Sequence, residues 1–170
     1  MDQLIVGNIW EQANVFLKGT SARTAAIAYV TQKTLKLYDD DILICDASKG
    51  AIESGQTSAK TLKEYFENGV KVYHIDYLHT KFVYTSNVII CGSANMSTSS
   101  ANNLVECAVL SQNHITISQA KAFVYGINNK NKPLTKADID NLLKIVVVKR
   151  FFKGGKTKKK KNYDFGNNFG

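Results

Sequence analysis

The sequence has one proline and three cysteines in 170 residues, and it lacks long apolar runs. No uninterrupted hydrophobic stretch approaches the ~20 residues that a helix needs to cross a bilayer. The opening residues, MDQLIVGNIWEQ, place acids where a signal peptide requires a basic segment. The expectation is a cytoplasmic chain that makes no use of a membrane. Cys45, Cys91 and Cys107 are odd in number and lie in the apolar stretches ILICDAS, VIICGS and VECAVL, so all three are expected as buried free thiols. No CxxC or HxxxH spacing occurs, which argues against a zinc site. With 44% hydrophobic and 21% charged residues, the composition is that of a globular chain, not a disordered or collagen-like one. A second core would leave each half too small to be stable, so the length suits one domain.

Acidic charge is scarce at one end. Residues 149–170 hold eight of the 22 basic residues and one of the 14 acidic ones, leaving 14 basic against 13 acidic in the other 148. The net charge of +8 therefore belongs almost wholly to the C-terminal segment. Gly154 to Gly170 carries lysine, glycine and asparagine with almost no aliphatic side chains, and is expected to be a flexible basic tail behind a folded domain at 1–153.

Periodicity predicts a helix over 8–18 ending at Gly19, and buried strands at 24–31 and 41–48. A helix at 58–68, capped by Thr57 or Ser58 and stopped by Gly69, leads into a strand at 70–75. Strand, helix, strand with buried strands implies parallel pairing and an α/β layer architecture. The runs KFVYTS and VIICGS form a hairpin, 94–103 a loop or short helix, and 104–111 another strand. Helices are expected at 118–127 and 136–144.

The segment 77–110 concentrates the chemistry: His79-x-Lys81, Gly92-Ser93-x-Asn95, and Glu106. Side chains two apart in an extended chain share a face, so His79 and Lys81 stand together, and the hairpin returns Ser93 and Asn95 to them. Neutral imidazole is a nucleophile at physiological pH, while lysine, serine and asparagine donors suit phosphate oxygens. One carboxylate is too few for Mg²⁺ or Ca²⁺. The residues point to metal-free attack of histidine on a phosphodiester, with Glu106 orienting the ring. His74 is expected to be a satisfied structural histidine, and His114 a loop or strand-edge residue. The acids Asp39, Asp40 and Asp41 are expected as a solvated turn, and Tyr29 as a packing residue with a lesser chance of lining the site.

This pattern resembles the signature of the phospholipase D (HKD) superfamily, and within it the small single-motif bacterial nuclease branch, which includes metal-independent endonucleases and restriction-enzyme catalytic domains. The resemblance implies a mixed β-sheet flanked by helices, an αβα sandwich. It implies His79 as the nucleophile forming a phosphohistidine, Lys81, Asn95 and Ser93 as phosphate ligands, Glu106 as the group holding the imidazole, and no cofactor. The family pattern carries an Asp where Ser86 stands here, and the hairpin is one residue short. Family members take the leaving-group proton from a second motif's histidine. This chain has one motif, so the resemblance implies a homodimer with two copies of His79 at one site. Alternatives are a lipid phosphodiesterase or phosphatidyltransferase of the same superfamily, and a non-catalytic nucleic-acid-binding relative.

The expected partner is nucleic acid, DNA first, tethered by Lys153, Lys156, Lys158, Lys159, Lys160 and Lys161, with Tyr163, Phe165 and Phe169 available for stacking. If all eight basic residues of 149–170 engage phosphates, log affinity falls with log salt at a slope of roughly −7. Deleting 154–170 should weaken DNA binding and flatten that slope in a salt titration. An unchanged slope refutes tethering by the tail.

Overall fold

In the computed structural model, residues 2–20 and 22–148 are described. The expected boundary at 153, the basic tail and its lysines lie outside the described residues.

The chain opens with a strand that periodicity did not reveal, β1 (Asp2–Val6), and turns at Gly7 into α1 (Ile9–Phe16). Asn8 caps this helix by accepting the Glu11 N–H (3.4 Å). The buried strands follow as β2 (Thr24–Ile27) and β3 (Ile42–Cys45). The expected strand at 24–31 is thus shorter, continuing as irregular chain with one bridge between Val30 and Met96. A short helix missed in the sequence, α2 (Lys49–Glu53), precedes α3 (Ala59–Glu67), whose cap is Ser58. Gly69, at φ +81°, stops α3; a Cβ there would also lie 2.1 Å from the Asp39 carboxylate. Next come β4 (Lys71–His74), the hairpin β5 (Lys81–Tyr84) and β6 (Ile89–Gly92), the short helix α4 (Thr98–Asn102), and β7 (Cys107–Ser111). Helix α5 (His114–Asn128) starts a turn earlier than expected because Asn113 caps it, so His114 is its first helical residue. In α6 (Lys136–Leu143), Thr135 and Asp138 form a reciprocal capping box.

The strands make one mixed sheet in the order β1-β7-β6-β5-β2-β3-β4. Pairing is parallel for β2–β3 and β3–β4 and antiparallel elsewhere. Alternation divides the side chains between two cores. On one face Ile27, Leu43, Val83 and Ile90 pack under Trp10 of α1, Leu62 and Tyr65 of α3, and Ile139 of α6. On the other, Ala26, Ile44, Phe82 and Tyr84 pack under Ile117, Ala120 and Val124 of α5. Helices on both faces make the expected αβα sandwich.

Two expectations are corrected. Cys45 is buried, but Cys91 and Cys107 are exposed. Helix α5 covers β5, β2, β3 and β4 and reaches Ile89 of β6, but leaves the far end of β6, much of β7 and β1 open on this face. There Cys91, Val109 and Leu4 align in one register row, with Val109 46% and Leu4 63% exposed. The acidic turn is likewise only partly solvated. Asp39 and Asp40 are exposed, but Asp41 is buried, accepting the N–H groups of Arg23 (2.7 Å) and Tyr38 (2.9 Å).

Gly92 is fixed by close approach. A Cβ at this position would stand 2.3 Å from the Cys107 carbonyl oxygen and 2.5 Å from the Ala108 Cβ. Both atoms belong to the paired strand and cannot swing away. Gly92→Ala should destabilise the fold by about 2 kcal/mol, read as a lowered urea midpoint. A midpoint equal to that of the parent protein would show that β7 yields at no cost.

Candidate active site

The geometry of a sheet end, rather than any one element, assembles the motif residues. Beyond β2 the chain runs on through Ala28 to Gln32 and collects three neighbours. The Ala28 N–H donates to the Thr80 carbonyl (2.8 Å), while the Ala28 carbonyl accepts the Asp46 N–H (2.9 Å). The Tyr29 carbonyl accepts the Met96 N–H (3.1 Å), and the Met96 carbonyl accepts from Thr31 (2.8 Å) and Gln32 (3.0 Å). The Thr80 hydroxyl adds a bond to the Ala26 carbonyl (3.0 Å).

His79 is exposed just before β5, and Lys81 opens that strand. The Lys81 Nζ lies 3.4 Å from His79 Nε2 and 3.1 Å from the His79 carbonyl oxygen, so the two side chains share a side as the spacing predicted. Burial holds the Lys81 ammonium below the ordinary lysine value, and the negative charge of Glu106 opposes that shift. Glu106, immediately before β7, is only 6% exposed. It accepts a hydrogen bond from the Ser93 hydroxyl. Ser93 is clasped in turn by Cys107, accepting its N–H (3.2 Å) at the hydroxyl and donating its own N–H to the Cys107 carbonyl (3.0 Å).

Asn95 is held at three points. Its Oδ1 accepts the Tyr29 N–H (3.3 Å), its carbonyl accepts the Trp10 indole N–H (2.9 Å), and its N–H donates to the Ser100 hydroxyl (3.1 Å). Fixing Oδ1 on the backbone leaves the amide NH₂ as the donor end of the side chain. The Tyr29 ring meets His79 edge-on, with centroids 6.2 Å apart. Tyr29 therefore touches both His79 and Asn95, a role its sequence position allowed but did not favour. Trp10 was absent from the sequence reading, because an apolar helix position gives no sign of an indole N–H reaching residue 95.

The five motif residues thus form one linked group: Asn95 to Tyr29 to His79 by contact, His79 to Lys81 by proximity, Lys81 to Glu106 by charge, and Glu106 to Ser93 by a hydrogen bond. The carboxylate's hydrogen-bond partner is Ser93, not the imidazole that the sequence assigned to it. Such a group offers an exposed imidazole, a cation and an amide donor linked through Tyr29, groups of the kind that suit a tetrahedral oxyanion such as phosphate.

One other grouping lies near the same sheet end. Asp46, His74 and Asp76 place ligand-type atoms within 4.8 Å of one another. The Ala47 N–H donates to His74 Nδ1 (3.0 Å), which puts the neutral ring's proton on Nε2, facing Asp76 at 3.3 Å. That tautomer leaves His74 no free lone pair for a cation, and it fits the structural role expected of it.

A family model described as cardiolipin synthase, PLD-like domain matches residues 20–124, which is well over half of the chain. The chain belongs to the phospholipase D-like superfamily. Among solved structures, NucT from Helicobacter pylori superposes with a TM-score of 0.61 at 16% identity, covering 79% of this chain and 99% of its own. Nuc from Salmonella typhimurium, described as a phospholipase D family member, also gives 0.61, at 14% identity, covering 80% and 100%. The phosphatidylserine synthase of Haemophilus influenzae gives 0.54 at 12% identity over 84% of this chain and 44% of its own. At such identities the likeness is one of fold. A search of curated proteins returns no match. Among the described residues, no helix is long and apolar enough to cross a membrane.

The Asn95 tether makes its own prediction. Trp10→Phe keeps an aromatic ring in the core but removes the indole donor and some buried volume, so it should cost about 2 kcal/mol or more in urea unfolding and shift the backbone amide resonance of Asn95. An unmoved Asn95 resonance would disprove the tether.

Proposed function

We propose that this superfamily member is a metal-independent phosphodiesterase that cleaves nucleic acid, DNA foremost, through a phosphohistidine on His79. The observation that carries the proposal is the pairing of His79 Nε2 with Lys81 Nζ at 3.4 Å, with Tyr29 touching the His79 ring and fixing the Asn95 amide through its N–H. Nε2 supplies the lone pair that forms the N–P bond, and the P–O bond to the leaving strand breaks. Lys81 and the Asn95 amide hold the non-bridging oxygens as charge builds on them. Ser93 is a further phosphate donor only when its hydroxyl leaves Glu106. Water then attacks phosphorus, the N–P bond breaks, and His79 is restored.

The leaving oxygen needs a proton, and a second copy of His79 in a homodimer is its source. In support of a second copy, the open part of the sheet face begins next to the site. Cys107 follows Glu106, and Leu104, Val105, Val109 and Leu4 continue it as an exposed apolar strip. The likeness to Nuc and NucT favours the nuclease branch, and the three free cysteines suit the reducing cytoplasm. The phosphatidylserine synthase likeness and the family description favour a lipid diester as the second reading. The basic lysines at 153–161 serve as the tether to the nucleic-acid backbone.

Plasmid DNA incubated with the protein in excess EDTA should be cut. His79→Ala should lower the rate by roughly a thousandfold or more. Loss of cleavage in EDTA refutes the metal-free route; intact DNA with hydrolysed phosphatidylcholine selects the lipid reading; binding without hydrolysis selects the non-catalytic one. In the same assay Val109→Lys should lower the sedimenting mass and the activity together, and full activity in a monomer rules out the shared site.

A further inference from the structure

A second feature lies at the opposite end of the sheet, where β2 and β3 begin and the Ile42 N–H donates to the Arg23 carbonyl (2.9 Å). A cleft of about 850 Å³ opens there between α1 and the segment 34–38, with Lys18, Arg23, Thr34, Lys36 and Tyr38 in its lining. Its walls are stitched by Asn14, whose amide donates to the Thr34 carbonyl (2.8 Å) and whose Oδ1 accepts the Lys36 N–H (2.8 Å). The cleft is therefore built by defined bonds between a helix and a loop.

Arg23 is only 7% exposed. Its guanidinium donates to the carbonyls of Leu17 (2.6 Å) and Lys36 (3.0 Å), approaches Asp41 at 3.6 Å, and lies 4.8 Å over the Tyr38 ring. Its Nε has no partner, and neither has the Thr34 hydroxyl. Among the described residues these are two of the three buried side-chain polar atoms without a hydrogen bond, and both residues line this one cleft. Buried polar groups are normally satisfied, so these two leave unused hydrogen-bonding capacity in the wall of one cleft.

The charge of the lining says what partner fits. Lys18, Lys36 and Arg23 face one carboxylate, Glu11, which already accepts from the Asn8 amide (3.1 Å). An anion is favoured, and the chain's own basic tail is excluded as an occupant by like charge. The volume is too large for a lone ion and falls within the range of small-molecule sites. Tyr38 is 56% exposed, and with the Arg23 guanidinium over one face, its ring offers the other as a planar surface.

We propose that this cleft binds a mononucleotide, separately from the His79 centre. Its phosphate sits between Lys18 and Lys36, the Thr34 hydroxyl and Arg23 Nε–H complete their bonding on it, and the base lies against Tyr38. The site does not depend on the chain being a nuclease.

The test is titration of adenosine monophosphate into the isotope-labelled full chain, followed by NMR. The amides of Thr20, Thr34 and Lys36 should shift. The double variant Lys18→Ala/Lys36→Ala should weaken binding about tenfold or more, with Thr34→Val weakening it in the same direction. His79→Ala should leave the affinity as it is. Arg23 is left intact, because its bonds hold the loop. Shifts confined to 79–107, an affinity unchanged in the double lysine variant, or adenosine binding as tightly as its monophosphate would each overturn the proposal.

Discussion

The five residues from Ala28 to Gln32 are the constraint on which the site depends. They extend β2 past its last ladder pair, where backbone groups are free to bond elsewhere. Ala28 takes the 79–81 segment on its N–H and the exit of β3 on its carbonyl. Tyr29 takes the Asn95 side chain and the Met96 main chain, and Thr31 and Gln32 return to Met96. A loop of small polar residues such as ANMSTSSANN has little conformational preference of its own. Its position comes from these bonds and from Trp10, which reaches it from α1. Main-chain hydrogen bonds do not depend on side-chain identity, so they hold residues distant in sequence in one arrangement.

The two ends of the sheet are chemically different. At the His79 end the side chains form a short linked group around an exposed imidazole, with a partly buried lysine whose ammonium is less favoured than in water. At the opposite end a buried arginine organises a loop by donating to main-chain carbonyls, and two lysines stand over it. Both ends set cations beside carboxylates, Lys81 near Glu106 and Arg23 near Asp41 with Glu11 lining the same cleft, so the body stays close to neutral. Local charge, rather than the overall excess carried by residues 149–170, defines where an anion can settle.

Much of the fold was legible. The caps Ser58 and Thr135, the stop at Gly69 and the hairpin between β5 and β6 are local signals, and the structure follows them. The misses share a cause. The strand β1 is recognisable only through its pairing with β7, 105 residues away at Leu4 and Val109. Cys91 and Cys107 look like core residues in VIICGS and VECAVL, and they are exposed because one helix covers only part of a sheet face. Asp41 looks like its two exposed neighbours, and it is buried because Arg23 and Tyr38 turn their N–H groups onto it.

The sequence by itself determined the identity and spacing of the chemical groups: a histidine and a lysine two apart, a glycine-led turn carrying serine and asparagine, one glutamate, and a separate basic segment. Spacing of this kind fixes which side chains share a strand face, since the pleat repeats every two residues. Tertiary structure alone decided which of those groups touch. It gave Glu106 to Ser93, made Tyr29 and Trp10 part of the site, left a strip of sheet uncovered, and closed a cleft over Arg23. Each of those outcomes depends on chain segments far apart in sequence meeting through main-chain bonds and packed surfaces, and a linear pattern carries no record of such meetings.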